Sequence, residues 1–186
     1  AAISHLRRKY PQIQFVGIEP AIKPAALESN TGVVGVLATA NTLKAEKYHE
    51  TLNRFASGVK VIERVGEGLV EAVENGSDAS DALHRCIEPM IEEGADAIVL
   101  GCTHYPFLSE QIKEIIGPDI RIINPAPAVA LRAKSILETM PIPVPIVKSS
   151  GKSVFYTTGA PDSVRRLSLK IKPDLPENSW KGFERI

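Results

Sequence analysis

The stretch AIVLGCTHYPF, residues 97–107, is the part of the sequence that best indicates the fold. It opens with a short apolar run, which is typical of a strand covered on both faces of a parallel sheet. Directly after that run come Gly101, Cys102, Thr103 and His104, so a thiol, a hydroxyl and an imidazole leave one strand end together. Functional groups gather at the carboxyl ends of strands in open α/β sheets, and Gly101 would let backbone and ligand approach closely. The stretch therefore predicts a parallel sheet with a candidate site at its edge.

The rest of the chain alternates between strand and helix patterns. Further apolar runs predict strands at residues 14–18, 32–37, 59–62, 120–123 and 154–156. The clearest helical pattern covers residues 78–93, where apolar side chains recur at three-four spacing and Ser77 is placed to cap the first turn. This alternation predicts an α/β fold with a parallel, doubly wound sheet.

Composition and charge exclude several classes of protein. The 22 basic residues equal the 22 acidic residues, so no electrostatic footprint for nucleic acid or an anionic membrane is visible. The apolar runs are far shorter than the roughly 20 residues of a membrane-spanning helix, and no signal-peptide pattern opens the sequence. Cys86 and Cys102 lack metal-like spacing, which disfavours a zinc site or a disulfide framework. We expect a soluble, cytoplasmic protein without a metal.

Cys102 is the leading candidate for chemistry. A thiol has an ordinary pKa of about 8.5, and a nearby cation or helix N-terminus favours the thiolate. His104 and a helix predicted to begin near Leu108 would provide both. The alternative is a small buried residue, which is the favoured interpretation of Cys86 in its apolar helical stripe. The remaining histidines are expected to face solvent, and these are His5, His49 and His84.

Two polar turns allow both a structural and a functional interpretation. Thr39 and Thr42 follow the predicted strand at 32–37 and either cap the next helix or contact a ligand. Glu19 either neutralises Lys23 or orients a catalytic loop. The Gly-Glu-Gly at 66–68 lacks the spacing of a phosphate-binding loop, and no Gly-x-Ser-x-Gly sequence is present. Nucleotide and serine hydrolase chemistry are therefore disfavoured.

Three features indicate how the chain is divided. Residues 140–152 are rich in proline and serine and predict a linker, and Asn-Pro-Ala-Pro at 124–127 marks a second break. The sequence also opens in the middle of an amphipathic helical pattern without an initiating Met. We interpret it as a fragment.

Several segments together resemble the glutamate racemases of the cofactor-independent Asp/Glu racemase family. GCTHYPFL at 101–108 is similar to that family's second catalytic motif. Four further segments resemble family elements in order and approximate spacing, namely VGIEPAIKPA at 16–25, GVLATANTLKAEKY at 35–48, VEAVENG at 70–76 and YTTG at 156–159. The likeness covers essentially the whole chain.

The resemblance implies a racemisation between two cysteines that supplies D-glutamate for peptidoglycan in the cell wall. Cys102 would act on L-glutamate, His104 would assist the thiol, and Glu74 would support His104. Thr103 and His104 would border the substrate, as would Thr39 and Thr42 in the family's Thr-containing turn. No cofactor is implied, the partner is glutamate, and the sequence leaves open whether the protein is a homodimer.

The sequence also departs from the family pattern. The family's other cysteine lies in an early Cys-Asn-Thr motif that does not occur in these 186 residues. We therefore expect this chain to be inactive alone. The resemblance implies that residues 19–124 are a complete second α/β domain, whereas residues 1–18 and 125–186 belong to the first. Those two stretches should expose apolar surface.

Three other functions are kept as alternatives. A related racemase acting on aspartate or another amino acid would use the same two-cysteine logic. Cys102, assisted by His104, would instead be a nucleophile in acyl transfer. A non-catalytic domain that binds an amino acid or a protein partner is the third.

Overall fold

A computed structural model describes residues 2–140, 154–157, 160–171, 173–174 and 180–182 of the chain. Its larger sheet has four parallel strands in the order β2-β1-β3-β4. These strands are β1 (Val33–Ala38), β2 (Lys60–Val65), β3 (Ala97–Gly101) and β4 (Arg121–Ile123). Two short parallel strands, β5 (Phe155–Thr157) and β6 (Trp180–Gly182), form a separate sheet. The predicted parallel α/β sheet is confirmed.

Helices cover both faces of the four-stranded sheet. The described helices are α1 (Ala2–Lys9), α2 (Ile22–Glu28), α3 (Ala40–Leu43), α4 (Glu46–Phe55), α5 (Leu69–Asn75), α6 (Ser80–Glu92), α7 (Ser109–Ile116), α8 (Ala126–Thr139) and α9 (Pro161–Ile171). A 3₁₀ turn at Tyr105–Leu108 joins β3 to α7. Helices α2 and α4 pack on one face, and α5, α6 and α7 pack on the other. This is the doubly wound arrangement that the sequence predicts.

Strand β1 shows why the apolar runs are continuous. Val34 and Val36 pack into the apolar cluster beneath α2 and α4, whereas Leu37 belongs to the cluster on the opposite face. Gly35 lies against α6, where a Cβ would come within 2.5 Å of the sulfur of Met90. Because both faces are covered, neither set of alternating side chains can be polar.

The loop before β1 is fastened by Asp96, which lies just before β3. The Asp96 carboxylate accepts hydrogen bonds from the Ser29 hydroxyl at 2.7 Å and from the backbone N–H groups of Asn30 at 2.5 Å and Thr31 at 3.2 Å. Partial burial acts to raise the pKa of Asp96, but these hydrogen bonds and the charge of Arg121 outweigh it, so the pKa is lowered. The ionised carboxylate therefore stabilises this turn.

Two local predictions are wrong. Residues 14–18 form no strand, because this segment pairs with no strand among the described residues, and Val16 and Ile18 are exposed. Ser77 does not cap α6, which begins three residues later at Ser80. The N-cap residue is Ala79, which supplies no capping side chain, and the Asp78 carboxylate before it accepts hydrogen bonds from the backbone N–H of Ser80 at 3.0 Å and from its hydroxyl at 2.7 Å.

Apolar side chains are exposed in the two stretches where the sequence predicts it. Ile13, Val16 and Ile18 are exposed before α2, and Leu131 and Leu137 are 68% and 53% exposed on α8, which has no buried residue. The division at 19 and 125 itself stays a prediction, and residues 141–152 of the predicted linker lie outside the described residues. None of the helices in the described part of the chain has the length and apolar character to span a membrane.

Candidate active site

Three strand ends meet at one edge of the sheet. Ala38, the last residue of β1, is paired with Gly101 at the end of β3 and with Val65 at the end of β2. Cys102 therefore leaves the sheet next to Thr39. Gly101 also meets a packing requirement between the strands, because a Cβ there would lie 2.6 Å from the Cβ of Ala38.

Cys102, His104 and Glu74 form a connected row of side chains. The Cys102 sulfur lies 3.8 Å from Nδ1 of His104, and Nε2 of the same ring lies 3.0 Å from Oε1 of Glu74. An ionised carboxylate only accepts hydrogen bonds, so Glu74 favours a proton on Nε2. In the neutral ring Nδ1 is then the acceptor that faces the thiol. This arrangement can take a proton from Cys102 and return it.

The fold supplies Glu74 from a separate element. Helix α5 is anchored by its buried residues Leu69, Ala72 and Val73, and Glu74 lies on its exposed side. The helix follows Gly68, whose φ of +76° lies in the left-handed region that favours glycine. The contact with His104 joins residues 30 positions apart in sequence.

A small cleft opens beside Cys102. Its volume is about 220 Å³, which is below the roughly 300–1,000 Å³ of pockets for drug-sized ligands and suits a small metabolite. The cleft is lined by Ile18, Glu19, Pro20, Thr42, Leu100, Gly101, Cys102, Thr103 and Pro125. The structure thus brings Cys102, Thr103 and Thr42 to one cleft. His104 and Glu74 do not line this cleft, and His104 approaches it through its contact with the Cys102 sulfur.

Thr39 has a different place from Thr42. Its hydroxyl oxygen accepts a hydrogen bond from the backbone N–H of Thr42 at 3.3 Å, so it is the N-cap of α3, as one of the two interpretations predicts. The two hydroxyl oxygens are 2.9 Å apart. Thr39 does not line the cleft and reaches it only through Thr42.

Glu19 pairs with Lys47 of α4 and not with Lys23. The ammonium group of Lys23 instead lies over the ring of Phe55, 5.3 Å from its centroid. The prediction that Glu19 neutralises Lys23 is therefore wrong, because the chain turns into α2 and carries Lys23 towards α4. Glu19 lines the cleft, and its charge is balanced by Lys47, which does not line it.

The second thiol and the remaining histidines lie away from the cleft. Cys86 is buried on α6, its thiol donates a hydrogen bond to the carbonyl of Val65 at 3.5 Å, and burial raises its pKa. Its structural interpretation is confirmed. His5, His49 and His84 are exposed, as expected. Within the described ranges no three His, Cys, Asp or Glu side chains are grouped so that they could hold a metal ion.

Sequence reasoning missed Tyr105 and Lys47. Tyr105 is fully buried, and its hydroxyl donates a hydrogen bond to the carbonyl of Gly66 at 3.2 Å. Nothing in the sequence pattern indicates its contact with Gly66, which lies 39 positions away. Nothing in the local pattern indicates that Lys47, the lysine of α4, pairs with Glu19, which lies 28 positions away.

Comparison with known proteins identifies related sequences. Residues 1–133 match the family described as Asp/Glu/Hydantoin racemase. A glutamate racemase of Roseiflexus sp. (strain RS-1) is 42% identical over 180 residues, which are 95% of this chain and 65% of the relative. A glutamate racemase of Stutzerimonas stutzeri (strain A1501) is 39% identical over 171 residues, 90% of this chain and 64% of the relative. The chain thus spans slightly less than two thirds of these relatives.

A solved structure has the same fold. Escherichia coli glutamate racemase, in complex with L-glutamate and the activator UDP-MurNAc-ala, superposes with a TM-score of 0.74 and 31% identity. The match covers 92% of this chain and 65% of that one.

Proposed function

Since this chain belongs to the Asp/Glu/Hydantoin racemase family, we propose that it acts in the interconversion of L- and D-glutamate. The observation that carries the proposal is the row of Cys102, His104 and Glu74 beside a small cleft at the carboxyl end of β3. The relatives named glutamate racemase and the structure solved with L-glutamate support glutamate as the substrate. Production of D-glutamate for peptidoglycan is part of the same proposal.

Cys102 would exchange the α-proton on one face of the substrate. The Cys102 thiolate takes the α-proton of L-glutamate, so the C–H bond breaks and an S–H bond forms. The electron pair stays on Cα and spreads into the adjacent carboxylate. A second acid on the opposite face then gives its proton to Cα, so that a C–H bond forms and the acid is left as its conjugate base, and the reverse sequence restores L-glutamate. The family resemblance implies that this acid is the thiol of the Cys-Asn-Thr motif, which does not occur in these 186 residues. Cys86 is buried on α6 and does not line the cleft, so we assign it no part in this exchange.

His104 and Glu74 would prepare the thiolate. With Glu74 holding the proton on Nε2, Nδ1 of His104 accepts the thiol proton and the ring becomes an imidazolium beside the thiolate. The carboxylate of Glu74 then faces that positive charge at hydrogen-bonding distance, which favours the ion pair. A fixed, preformed arrangement of this kind lowers the barrier because little has to reorganise during proton transfer.

Hydroxyl groups would position the substrate. Thr42 and Thr103 line the cleft with Cys102, and the Thr39 hydroxyl holds Thr42 in place. A hydroxyl can donate a hydrogen bond to a substrate carboxylate, and good orientation supplies a large part of rate enhancement. We propose Thr42 and Thr103 as direct contacts, and Thr39 as a contact made through Thr42.

We also propose the domain division at residues 1–18, 19–124 and 125–186. What supports it is that both large apolar clusters are built almost entirely from residues between Ile22 and Ile123, whereas β5 and β6 form their own sheet. Expression of residues 19–124 alone tests this division. Cooperative urea unfolding of that piece is expected, and a non-cooperative transition would contradict the proposal.

Circular dichroism of glutamate tests the function. Racemisation of L- and D-glutamate would be measured for this chain alone and for the chain joined to the part of the Roseiflexus relative that it does not span. We expect Cys102→Ser to lower the rate by at least about 100-fold, the scale of a lost acid-base group, while Cys86→Ser leaves it largely unchanged. Racemisation that survives Cys102→Ser would refute the role of this thiol.

Three further measurements separate the alternative functions. Faster turnover of aspartate than of glutamate would move the substrate within the family. Glutamate binding without turnover by the joined chain would favour a binding domain, and a Cys102 acyl intermediate with hydrolysis would favour acyl transfer.

We also propose a homodimer in the reducing cytoplasm, where the Cys102 thiol stays free. A monomeric mass by light scattering would contradict the dimer, and recovery of the protein outside the cytoplasm would contradict the location.

A further inference from the structure

The ring and the hydroxyl group of Tyr105 have different roles in the structure. Its ring fills the apolar core beside α5 and α6, and its hydroxyl donates a hydrogen bond to the carbonyl of Gly66 at 3.2 Å. Burial raises the pKa of Tyr105, so the hydroxyl keeps its proton and remains a donor. A buried hydroxyl without a partner would be unfavourable, but apolar packing alone would be served equally by phenylalanine.

Gly66 leaves space for this hydroxyl because it has no side chain. It follows the last residue of β2, is buried, and donates its own N–H to the carbonyl of Ala38 at 3.0 Å. A Cβ at Gly66 would lie 2.5 Å from the Tyr105 hydroxyl oxygen and 2.7 Å from a methyl group of Leu69. The same carbonyl also accepts the N–H of Leu69, the first residue of α5, at 3.3 Å. Tyr105 is therefore bonded to the point where α5 begins.

Helix α5 is held to the Cys102 turn at both of its ends. At its start, Gly66 receives the hydroxyl of Tyr105, and near its end, Glu74 meets the ring of His104. His104 and Tyr105 are adjacent in sequence. The backbone N–H of Tyr105 also donates to the carbonyl of Cys102 at 3.3 Å, which closes the turn that carries the thiol.

We propose that Tyr105 is a positioning residue, whose hydroxyl fixes the start of α5 so that Glu74 meets His104 in register with Cys102. The inference rests on the proposed function, because it assumes that Glu74 and His104 act on the Cys102 thiol. Loss of the hydroxyl removes the polar contact at the start of the seven-residue helix, which the apolar packing of Leu69, Ala72 and Val73 then holds without a fixed register. The Glu74 side chain then samples positions away from Nε2 of His104.

The test is a double-mutant cycle on Cys102 reactivity in the 186-residue chain. Iodoacetamide labelling at neutral pH is followed by peptide mass spectrometry, which separates Cys102 from Cys86. The variants are Glu74→Gln, Tyr105→Phe and both together. If Tyr105 positions Glu74, the effect of Glu74→Gln shrinks in the Tyr105→Phe background by at least about twofold, the lower end for residues in one hydrogen-bond network.

Tyr48 provides a matched control. It is also buried, at 4% exposure, and its hydroxyl donates to Glu63 at 2.8 Å on the opposite face of the sheet. Tyr48→Phe removes a comparable hydrogen bond without touching α5. The ¹⁵N signals of the His104 ring should therefore change in Tyr105→Phe in the same direction as in Glu74→Gln, and stay unchanged in Tyr48→Phe.

The outcomes separate this inference from the proposed function. If Glu74→Gln changes Cys102 labelling while Tyr105→Phe changes neither the coupling nor the His104 signals, only the positioning role is overturned. If Glu74→Gln has no effect on Cys102, the assumed support of His104 fails and the inference fails with it. Should Tyr105→Phe not fold, 4-fluorophenylalanine at position 105 fills the space of the hydroxyl without donating. Replacement by 4-aminophenylalanine, which keeps a donor, should restore the wild-type coupling.

Discussion

Replacement of Gly101 by alanine should destabilise the sheet and disturb Cys102 together. A Cβ at this position would lie 2.6 Å from the Cβ of Ala38 and 3.3 Å from the carbonyl oxygen of Leu37. Ordinary carbon contacts are about 3.5–4.0 Å, so the methyl groups overlap by about 1 Å. Ala38 and Leu37 are both fully buried, and their atoms belong to or adjoin the backbone of β1. Since no flexible side chain can yield, we expect a loss of about 1–3 kcal/mol in the free energy of unfolding.

A swap of the methyl group between the strands tests the cause. Ala38→Gly alone should cost about 1–2 kcal/mol, from the lost buried methyl and the greater chain entropy of glycine in a strand. In Gly101→Ala combined with Ala38→Gly, the 2.6 Å contact is gone and the remaining contacts begin at 3.3 Å. The double variant should therefore be more stable than the sum of the single losses predicts, by about 1 kcal/mol or more.

Urea unfolding followed by far-ultraviolet circular dichroism measures these stabilities, and iodoacetamide labelling of Cys102 reports the position of the thiol. Gly35→Ala is the control for an added methyl group elsewhere in the sheet. Its close contact is the sulfur of Met90, which belongs to a flexible side chain. Strict additivity of the Ala38 and Gly101 losses, or an unchanged Cys102 labelling rate in Gly101→Ala, would show that the close approach of β1 and β3 is not what this glycine provides.

Three further predictions concern charge and burial. Partial burial acts to raise the pKa of Asp96, but its hydrogen bonds outweigh this effect and lower the pKa in the folded chain. Asp96 therefore stabilises the fold at pH values above its ordinary pKa of about 3.9, and this stabilisation is lost as the pH falls through its lower pKa in the folded chain. Asp96→Asn should flatten the fall of the urea midpoint below about pH 4, and an unchanged slope would contradict this role. Because burial raises the pKa of Cys86, iodoacetamide should label Cys102 in the folded chain and reach Cys86 at a similar rate only in urea; equal rates in the folded chain would contradict the burial. Glu19→Gln should change the free energy of unfolding by less than about 1 kcal/mol, since Glu19 and Lys47 are 44% and 48% exposed, and a larger loss that persists at high salt would contradict a surface ion pair.

The sequence predicts the central strands well because their apolar runs reflect burial on both faces, which is a local property of the pattern. Residues 14–18 have a similar pattern, but whether a strand forms depends on a neighbour to pair with, and the pattern holds no information on that neighbour. Site residues that are close in sequence could likewise be predicted, whereas those that are far apart could not. Cys102 and His104 are two residues apart and could be associated from the sequence, whereas Glu74 is 30 positions from His104 and was found only through the family resemblance. Tyr105 and Gly66, 39 positions apart, gave no signal of their contact.

The order of strands in the sheet has a consequence for the kinetics of folding. Strands β1 and β3 are neighbours in the sheet, although they are far apart in the chain. Strand β2 and the helices α3, α4, α5 and α6 lie between them in sequence. The Ser29–Asp96 hydrogen bond, which fastens the base of the same pair, closes a loop of 67 positions. The chain loses the entropy of that loop before the contacts between the two strands can form, so topologies of this kind fold slowly. During that interval β3 is not yet paired with β1, and Glu74 is not yet beside His104. The nascent protein therefore carries Cys102 as an ordinary exposed thiol.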